Sequence, residues 1–181
     1  MRMSSIAALL WFACHFAQAT PITYVVSYSS AGSSLTGLIT TDGTIGAIQA
    51  INILEWSFTS TGPDAFTINS SDPGHQSACI GSTGCFIATL SNLSFLFASP
   101  ASHDPIAEFD DGTPIFEEVR FLDSNDCGTG GCVVTTTIQN QTLYKDPSTI
   151  VGIAVTSVPE PATLALVGVA LAGLGFSRRK Q

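Results

Sequence analysis

The sequence predicts an all-β protein, with an antiparallel β-sandwich or jelly-roll-like body between an N-terminal signal peptide and a short C-terminal transmembrane helix. Three observations predict the β body. Apolar and polar residues alternate at a period of two along most of its segments, as in strands with one buried face. Clusters of Gly, Pro, Asn and Asp separate these segments. No segment of the body repeats apolar residues convincingly at helical spacing.

The first half of the body contains four predicted strands. Residues 22–29 alternate at period two, and residues 35–41 follow a Gly-Ser turn. Asp42-Gly43, with β-type residues on both sides, is the strongest hairpin signal in the chain. Residues 48–59 form the longest apolar segment, and apolar residues on both of its faces predict a central strand. A helix is the alternative there, which the β-branched residues disfavour. Residues 65–70 form a short strand after a turn.

The second half of the body alternates predicted loops and predicted strands. The loops are rich in Gly, Pro and Asp, whereas the strands are rich in β-branched and aromatic residues. The loops are residues 71–85 and 100–114, and the strands are residues 86–98 (one strand or a pair), 115–122, 133–144 and 148–158.

The first 19 residues have the three parts of a secretory signal peptide. Arg2 supplies the positive charge, residues 6–16 are apolar, and Ala17 and Ala19 form an A-x-A cleavage site. We predict export through the Sec translocon and cleavage by signal peptidase after Ala19. A buried helix of the folded domain is the alternative, and it is disfavoured because the other end of the chain also predicts export.

The last 24 residues, 158–181, form a second three-part segment. It begins with a Pro-Glu-Pro triplet, in which the prolines fix φ and disfavour a helix. The uncharged residues 162–176 follow, and a helix of this length covers about 22 Å, less than the roughly 30 Å of a hydrocarbon core. Such a segment suits brief anchoring. Cations at its end prefer the cytoplasmic side, which places the body outside. The triplet is Pro159, Glu160 and Pro161, and the cations are Arg178, Arg179 and Lys180.

This tail resembles the PEP-CTERM sorting domain of exported proteins of Gram-negative bacteria. The resemblance rests on the triplet, the Ala/Leu/Gly-rich run and the terminal cations, and it covers about 24 of the 181 residues. It implies recognition by an exosortase, a membrane transpeptidase for which Pro159–Pro161 is a substrate sequence. It also implies an inner-membrane intermediate held transiently by residues 162–176, followed by delivery to the cell surface or extracellular matrix. An ordinary membrane anchor is the alternative.

The body, residues 20–157, has the length of one domain and is strongly acidic. It contains 13 acidic residues and two basic ones, Arg120 and Lys145, so its net charge is −11. A basic footprint for nucleic acid is absent, which excludes that class of partner. The charge would also repel an anionic membrane surface or acidic glycan unless cations bridge them. Solubility of an exported protein is the simpler explanation of the charge.

Four cysteines remain in the body after signal cleavage, and an even number in an exported chain predicts disulfides. Three pairings are open, and we favour Cys79–Cys85 and Cys127–Cys132. Each closes a small loop that contains Gly, which tolerates tight turns. Zinc binding is the alternative. A zinc knuckle usually has two to four residues between its cysteines, whereas one pair here has five intervening residues and the other has four.

Two acidic loops are candidate calcium sites, because Ca²⁺ takes six to eight oxygen ligands. One loop contains Asp110 and Asp111, and the other contains Asp123 and Asp126. The second loop starts like an EF-hand but fails at Cys127, where an oxygen ligand is required. Solvated turn residues are the alternative, and no other cofactor is expected.

The sequence contains no catalytic motif that we can identify. His75 and His103 fall in predicted loops. Glu117 and Glu118 are adjacent, so on a strand they face opposite ways and cannot form one glycosidase pair. We expect Trp56 in the core rather than on a sugar-binding surface.

We therefore expect a non-enzymatic structural or adhesive protein, associated with exopolysaccharide or biofilm as the resemblance implies. A secreted carbohydrate-binding module, calcium-dependent or not, is the first alternative. A secreted hydrolase is the second.

Overall fold

The computed structural model describes residues 19–63, 65–80, 84–95, 97, 106–113, 117–123, 127, 131–137, 140–145 and 149–155. The segment Pro21–Thr156 forms one compact unit. Apart from Ala19, the predicted signal peptide and the C-terminal segment lie outside the described residues, so the predicted division of the chain stays a prediction. The strands are β1 (Ile22–Ser30), β2 (Ser33–Thr41), β3 (Gly46–Ile48), β4 (Ile53–Thr61), β5 (Phe66–Asn69), β6 (Gln76–Ile80), β7 (Phe86–Ala88), β8 (Asn92–Phe95), β9 (Ile106–Asp110), β10 (Glu118–Leu122), β11 (Cys132–Thr136), β12 (Gln141–Lys145) and β13 (Ile150–Ala154).

The strands form two antiparallel sheets. Sheet A has the order β3-β7-β8-β13-β1-β2-β4-β5, and sheet B has the order β12-β11-β10-β9-β6. The last strand, β13, lies in the middle of sheet A, between β8 and β1. The predicted all-β class is confirmed, and the two sheets fit the predicted sandwich.

Aromatic side chains fill the space between the sheets. Phe121 of β10 is fully buried, and its ring centroid lies 6.4 Å from that of Phe58 on β4 and 5.6 Å from that of Phe86 on β7. Trp56 is 4% exposed and meets the ring of Phe109 edge-on at 5.3 Å, which confirms its predicted core position. Burial of each such side chain contributes about 1.5–3 kcal/mol relative to an exposed position.

Asp42-Gly43 does not form a tight hairpin turn, although β2 and β4, the strands that its connection joins, pair antiparallel as a hairpin requires. A tight hairpin forms earlier, where Ser30 pairs with Ser33 around a two-residue turn and Gly32 has a φ of 84°. After β2, the Asp42 carboxylate instead accepts hydrogen bonds from the Thr44 amide at 2.9 Å and from the Asn52 side chain at 3.0 Å. The chain therefore leaves the centre of sheet A and runs to its edge, where β3 pairs with β7.

The prediction of one strand over residues 48–59 is also wrong. A 3-10 turn, Ala50–Asn52, separates β3 from β4. The register between β2 and β4 shifts where Thr40 pairs with Glu55 and Thr41 with Ile53, so Leu54 is an extra residue. Such a bulge reverses the alternation. Leu54 is consequently 51% exposed, although period two predicts it on the same face as Trp56.

Two predicted loops contain strands. β6 lies within residues 71–85, and β9 lies within residues 100–114. The charges of β9 hid its alternation, because Ala107 and Phe109 are fully buried while Glu108 and Asp110 are half-buried on the other face. The predicted strand 133–144 is a hairpin of β11 and β12. The pair predicted in 86–98 is present as β7 and β8.

Two tyrosines of β1, the buried Tyr24 and the half-buried Tyr28 with its buried hydroxyl, make a test of hydrogen bonding in the core. The Tyr24 hydroxyl donates to the Thr89 carbonyl at 2.7 Å, whereas the Tyr28 hydroxyl has no hydrogen-bond partner within the described part of the chain. We expect Tyr24→Phe to lower the free energy of unfolding by about 1 kcal/mol. Tyr28→Phe should leave it unchanged or raise it, because the change removes a desolvated hydroxyl. Urea unfolding of both variants compares the midpoints, and a larger loss for Tyr28→Phe would contradict this explanation.

Candidate functional sites

Two disulfides are present with the predicted pairing. Cys79 bonds to Cys85, with Cα atoms 5.4 Å apart, and Cys127 bonds to Cys132, with Cα atoms 5.7 Å apart. The first disulfide joins β6 of sheet B to the residue before β7 of sheet A, so it connects the two sheets. The second closes the connection between β10 and β11. Such bonds remove loop-closure entropy from the unfolded chain, which favours the folded body.

The two predicted acidic loops lie at opposite ends of sheet B. Asp110 pairs with Glu118 at the start of β10, whereas Asp123 follows the end of β10. Five residues of strand separate these positions by roughly 17 Å, so one ion cannot bind both loops. Asp123 is fully buried, and Asp126 lies outside the described residues.

The Asp111 carboxylate is engaged by neighbouring donors. It accepts hydrogen bonds from the Thr113 amide at 3.1 Å and from the Thr113 hydroxyl at 2.6 Å. Burial alone would raise the pKa of Asp111, but these hydrogen bonds outweigh it and hold the pKa below its usual value. In the described ranges, no group of three or more His, Cys, Asp or Glu side chains has the arrangement of a metal site. Calcium binding therefore stays a prediction.

The structure brings together three charged side chains that the sequence analysis did not connect. Glu108 of β9 pairs across the strands with Arg120 of β10, and Glu118 lies two residues before Arg120 on the same face. The Arg120 Nε donates to a Glu118 oxygen and lies 3.6 Å from a Glu108 oxygen. The sequence placed Glu108 in a loop, so its pairing with β10 was not predictable without the register of β9.

Glu118 is a buried carboxyl whose pKa is raised. Its side chain is 2% exposed. Burial, a hydrogen bond to Glu108 and the charge of Glu108 raise the pKa of Glu118 to about 7, against the lowering effect of Arg120. The cluster thus holds a proton near neutral pH.

Glu117 belongs to a different group of charges. Burial, followed by the charges of Asp111 and Asp72, raises its pKa. Glu117 and Glu118 therefore interact with different acidic residues. This agrees with the prediction that the two side chains do not form one pair.

The histidines form no catalytic pair within the described residues. The exposed His75 ring nitrogen Nδ1 lies 2.8 Å from the Asp72 carbonyl, and the ring meets Trp56 edge-on at 6.1 Å. His75 thus belongs to a surface turn, as predicted, whereas His103 lies outside the described residues.

An open cleft of about 530 Å³ lies beside β4. Glu55, Thr40 and Ser57 supply polar groups to its lining, and Leu38 and Leu54 supply aliphatic ones. Trp56 also lines the cleft, although it is only 4% exposed. Every Trp, Phe and Tyr side chain in the described part of the chain is buried or half-buried, so this part offers no exposed aromatic platform on which a sugar ring would stack.

The comparison with protein families finds a match near the C-terminal end of the chain. Residues 157–180 match the PEP-CTERM protein-sorting motif. The chain therefore carries a PEP-CTERM sorting motif. No curated protein and no solved structure matches the chain.

The PEP-CTERM motif implies an exosortase-targeted exported protein that is anchored in the membrane before cleavage. The motif begins just after β13, where the Val155 amide still donates to the Thr23 carbonyl at 2.9 Å. The sorting triplet, the terminal cations and Ala17 lie outside the described residues, and Ala19 is exposed. No helix within the described ranges is long and apolar enough to cross a membrane.

Proposed function

We propose that the body of this PEP-CTERM protein, once processed by exosortase, is a non-enzymatic structural or adhesive component of the cell surface or extracellular matrix of a Gram-negative bacterium, associated with exopolysaccharide. The position of the sorting motif carries this proposal, because residues 157–180 directly follow the last strand of a compact body. A transpeptidase acting at the Pro-Glu-Pro triplet would release that body without cutting a strand. The two disulfides support a role outside the cytoplasm.

Intact mass of the protein recovered from its host tests the sorting step. We expect a species that begins at residue 20 and ends near Pro159, present only when exosortase is present. Alanine at Pro159, Glu160 and Pro161 should abolish this species, whereas Ile51→Ala, at a residue that is 86% exposed, should not. A species that keeps residues 176–181 both in the wild-type host and in a strain without exosortase would contradict the sorting step.

Fractionation of the same cultures tests the matrix role. We expect the processed body in the washed matrix fraction, and we expect deletion of its gene to weaken cell attachment. Recovery of the body only as free protein in the medium, with attachment unchanged, would contradict an adhesive role while leaving the sorting step intact.

Calcium-dependent binding of polysaccharide is a second candidate function. The cleft beside β4 supports it, since carboxylate, hydroxyl and aliphatic groups line one open surface. Retention on neutral polysaccharide beads, reversed by a calcium chelator, would favour this candidate. Retention that is unchanged by Glu55→Gln would argue against the cleft as the binding surface.

A further inference from the structure

Charge is distributed unequally between the two sheets. The strands of sheet A contain one charged residue, Glu55, near the start of β4. The shorter strands of sheet B contain five, which are Glu108, Asp110, Glu118, Arg120 and Lys145. In a chain of net charge −8, the outward surface of sheet A is therefore a nearly uncharged face.

Exposed aliphatic side chains cross this face in a row. Ile153 of β13 pairs with Val25 of β1, and Val25 pairs with Leu38 of β2. Their exposed fractions are 63%, 36% and 43%. Ile153, Val25 and Leu38 thus form a continuous apolar row over three neighbouring strands, which we name the apolar row.

Hydroxyl groups on both sides of the apolar row bond to one another. Thr23 and Thr40 share a hydrogen bond of 2.9 Å, and Thr59 and Thr67 share one of 3.2 Å. These cross-strand bonds satisfy part of the hydrogen-bonding capacity of the hydroxyls and leave the threonine methyl groups available for contact. Such a face loses less free energy on desolvation than one with unpaired polar groups.

The size of the face matches a protein interface. β1, β2 and β4 each have nine residues and lie side by side between β13 and β5. β13 has five residues and β5 has four, so the five strands together, at about 3.3 Å per residue and about 4.8 Å between strands, cover about 570 Å² on each copy. Two copies would bury about 1,140 Å² in total, above the roughly 1,000 Å² expected of a biological interface.

We infer that the outer face of sheet A binds a second copy of this chain, so that the processed protein is a homodimer with two sheets packed face to face. Two acidic copies repel each other through most of their surfaces, and this face avoids that repulsion. A self-complementary face with an apolar row is what a two-fold dimer requires. The cleft beside β4 opens on this face, and Trp56 in its lining is only 4% exposed, so a sugar ring finds little aromatic surface on which to stack and a sugar polymer is a poorer occupant. An anionic membrane is poorer still because the face has no cation. This inference does not depend on the matrix role.

The mass of the exported, processed protein in solution tests the dimer. Light scattering coupled to size exclusion, from about 1 to 100 µM, should show a dimer with micromolar or tighter affinity. We expect Leu38→Lys to weaken dimerisation roughly tenfold or more, because it places a charge in the centre of the interface. Ile51→Lys is the matched control, since Ile51 is 86% exposed and lies outside the strands of sheet A, and it should stay dimeric.

The unfolding midpoint of each variant separates lost dimerisation from lost folding. If Leu38→Lys does not fold, Val25→Thr and Ile153→Lys make the same test at the other two positions of the apolar row. A wild-type monomer at the highest concentration would overturn the inference, and so would a folded Leu38→Lys variant with unchanged dimer affinity. Retention of a monomeric wild type, but not of Leu38→Lys, on neutral polysaccharide beads would assign the face to a glycan and overturn the dimer.

Discussion

Replacing Phe121 with alanine is expected to lower the free energy of unfolding by about 3–5 kcal/mol, the range measured for large-to-small changes in protein cores. Phe121 is fully buried on β10 and lies within 6.5 Å, between ring centroids, of six aromatic residues from both sheets. Alanine would leave a cavity where the two sheets meet, and the surrounding rings cannot fill it without moving both sheets. These neighbours are Tyr28, Phe58, Phe86, Phe95, Phe97 and Phe109.

Urea unfolding of the exported protein, followed by the fluorescence of Trp56, measures this loss. Ile51→Ala is the control, because its side chain is 86% exposed and we expect a change of no more than about 0.5 kcal/mol. Phe121→Leu should fall between the two, because leucine keeps most of the apolar volume. A loss below about 1 kcal/mol for Phe121→Ala would mean that Phe121 is not at the centre of the core.

Glu118 is expected to make the protein less stable as the pH rises from about 5 to 8. The pKa of Glu118 is raised from 4.5 to about 7 by burial and by Glu108. Below pH 4.5 the carboxyl is protonated in both the folded and unfolded states. Between pH 4.5 and 7 the folded protein holds a proton that the unfolded chain has released, so stability falls as the pH rises through this window. A shift of this size corresponds to about 3 kcal/mol at most.

Glu118→Gln should remove this part of the pH dependence, since glutamine does not titrate. The measurement is the difference in unfolding free energy between variant and wild type at each pH, because other carboxyls titrate in the same range. Glu108→Gln should also flatten the profile, because it removes the negative charge that favours the protonated form of Glu118. Glu55→Gln, on sheet A, is the control. Parallel profiles for wild type and Glu118→Gln would contradict the assigned pKa.

The sequence predicted most strands correctly and erred where tertiary pairing overrode a local signal. Period-two alternation located β1, which has one buried face, and the turn residues before β2 and β5 located those two strands. Asp42-Gly43 has the residues of a tight turn, but the carboxylate of Asp42 bonds to Asn52, ten residues away, and the connection between the paired strands β2 and β4 is long. A contact at that distance has no local signature.

The sequence could not predict the charged cluster for the same reason. This cluster consists of Glu108, Glu118 and Arg120. Its members come from two strands, and only the register that pairs Glu108 with Arg120 brings them together. The disulfides were predictable, because each joins cysteines five or six residues apart, and proximity along the chain limits the alternatives.

The sequence by itself identified a C-terminal sorting motif, which implies export, and the all-β class. The sorting motif is a contiguous segment, read by an exosortase as a linear sequence, and alternation of apolar residues follows directly from the geometry of a strand. Only the tertiary structure decided which strands pair, and therefore which side chains share a face. The charge-poor outer face of sheet A and the buried carboxyl of Glu118 exist because pairing unites residues that are far apart along the chain.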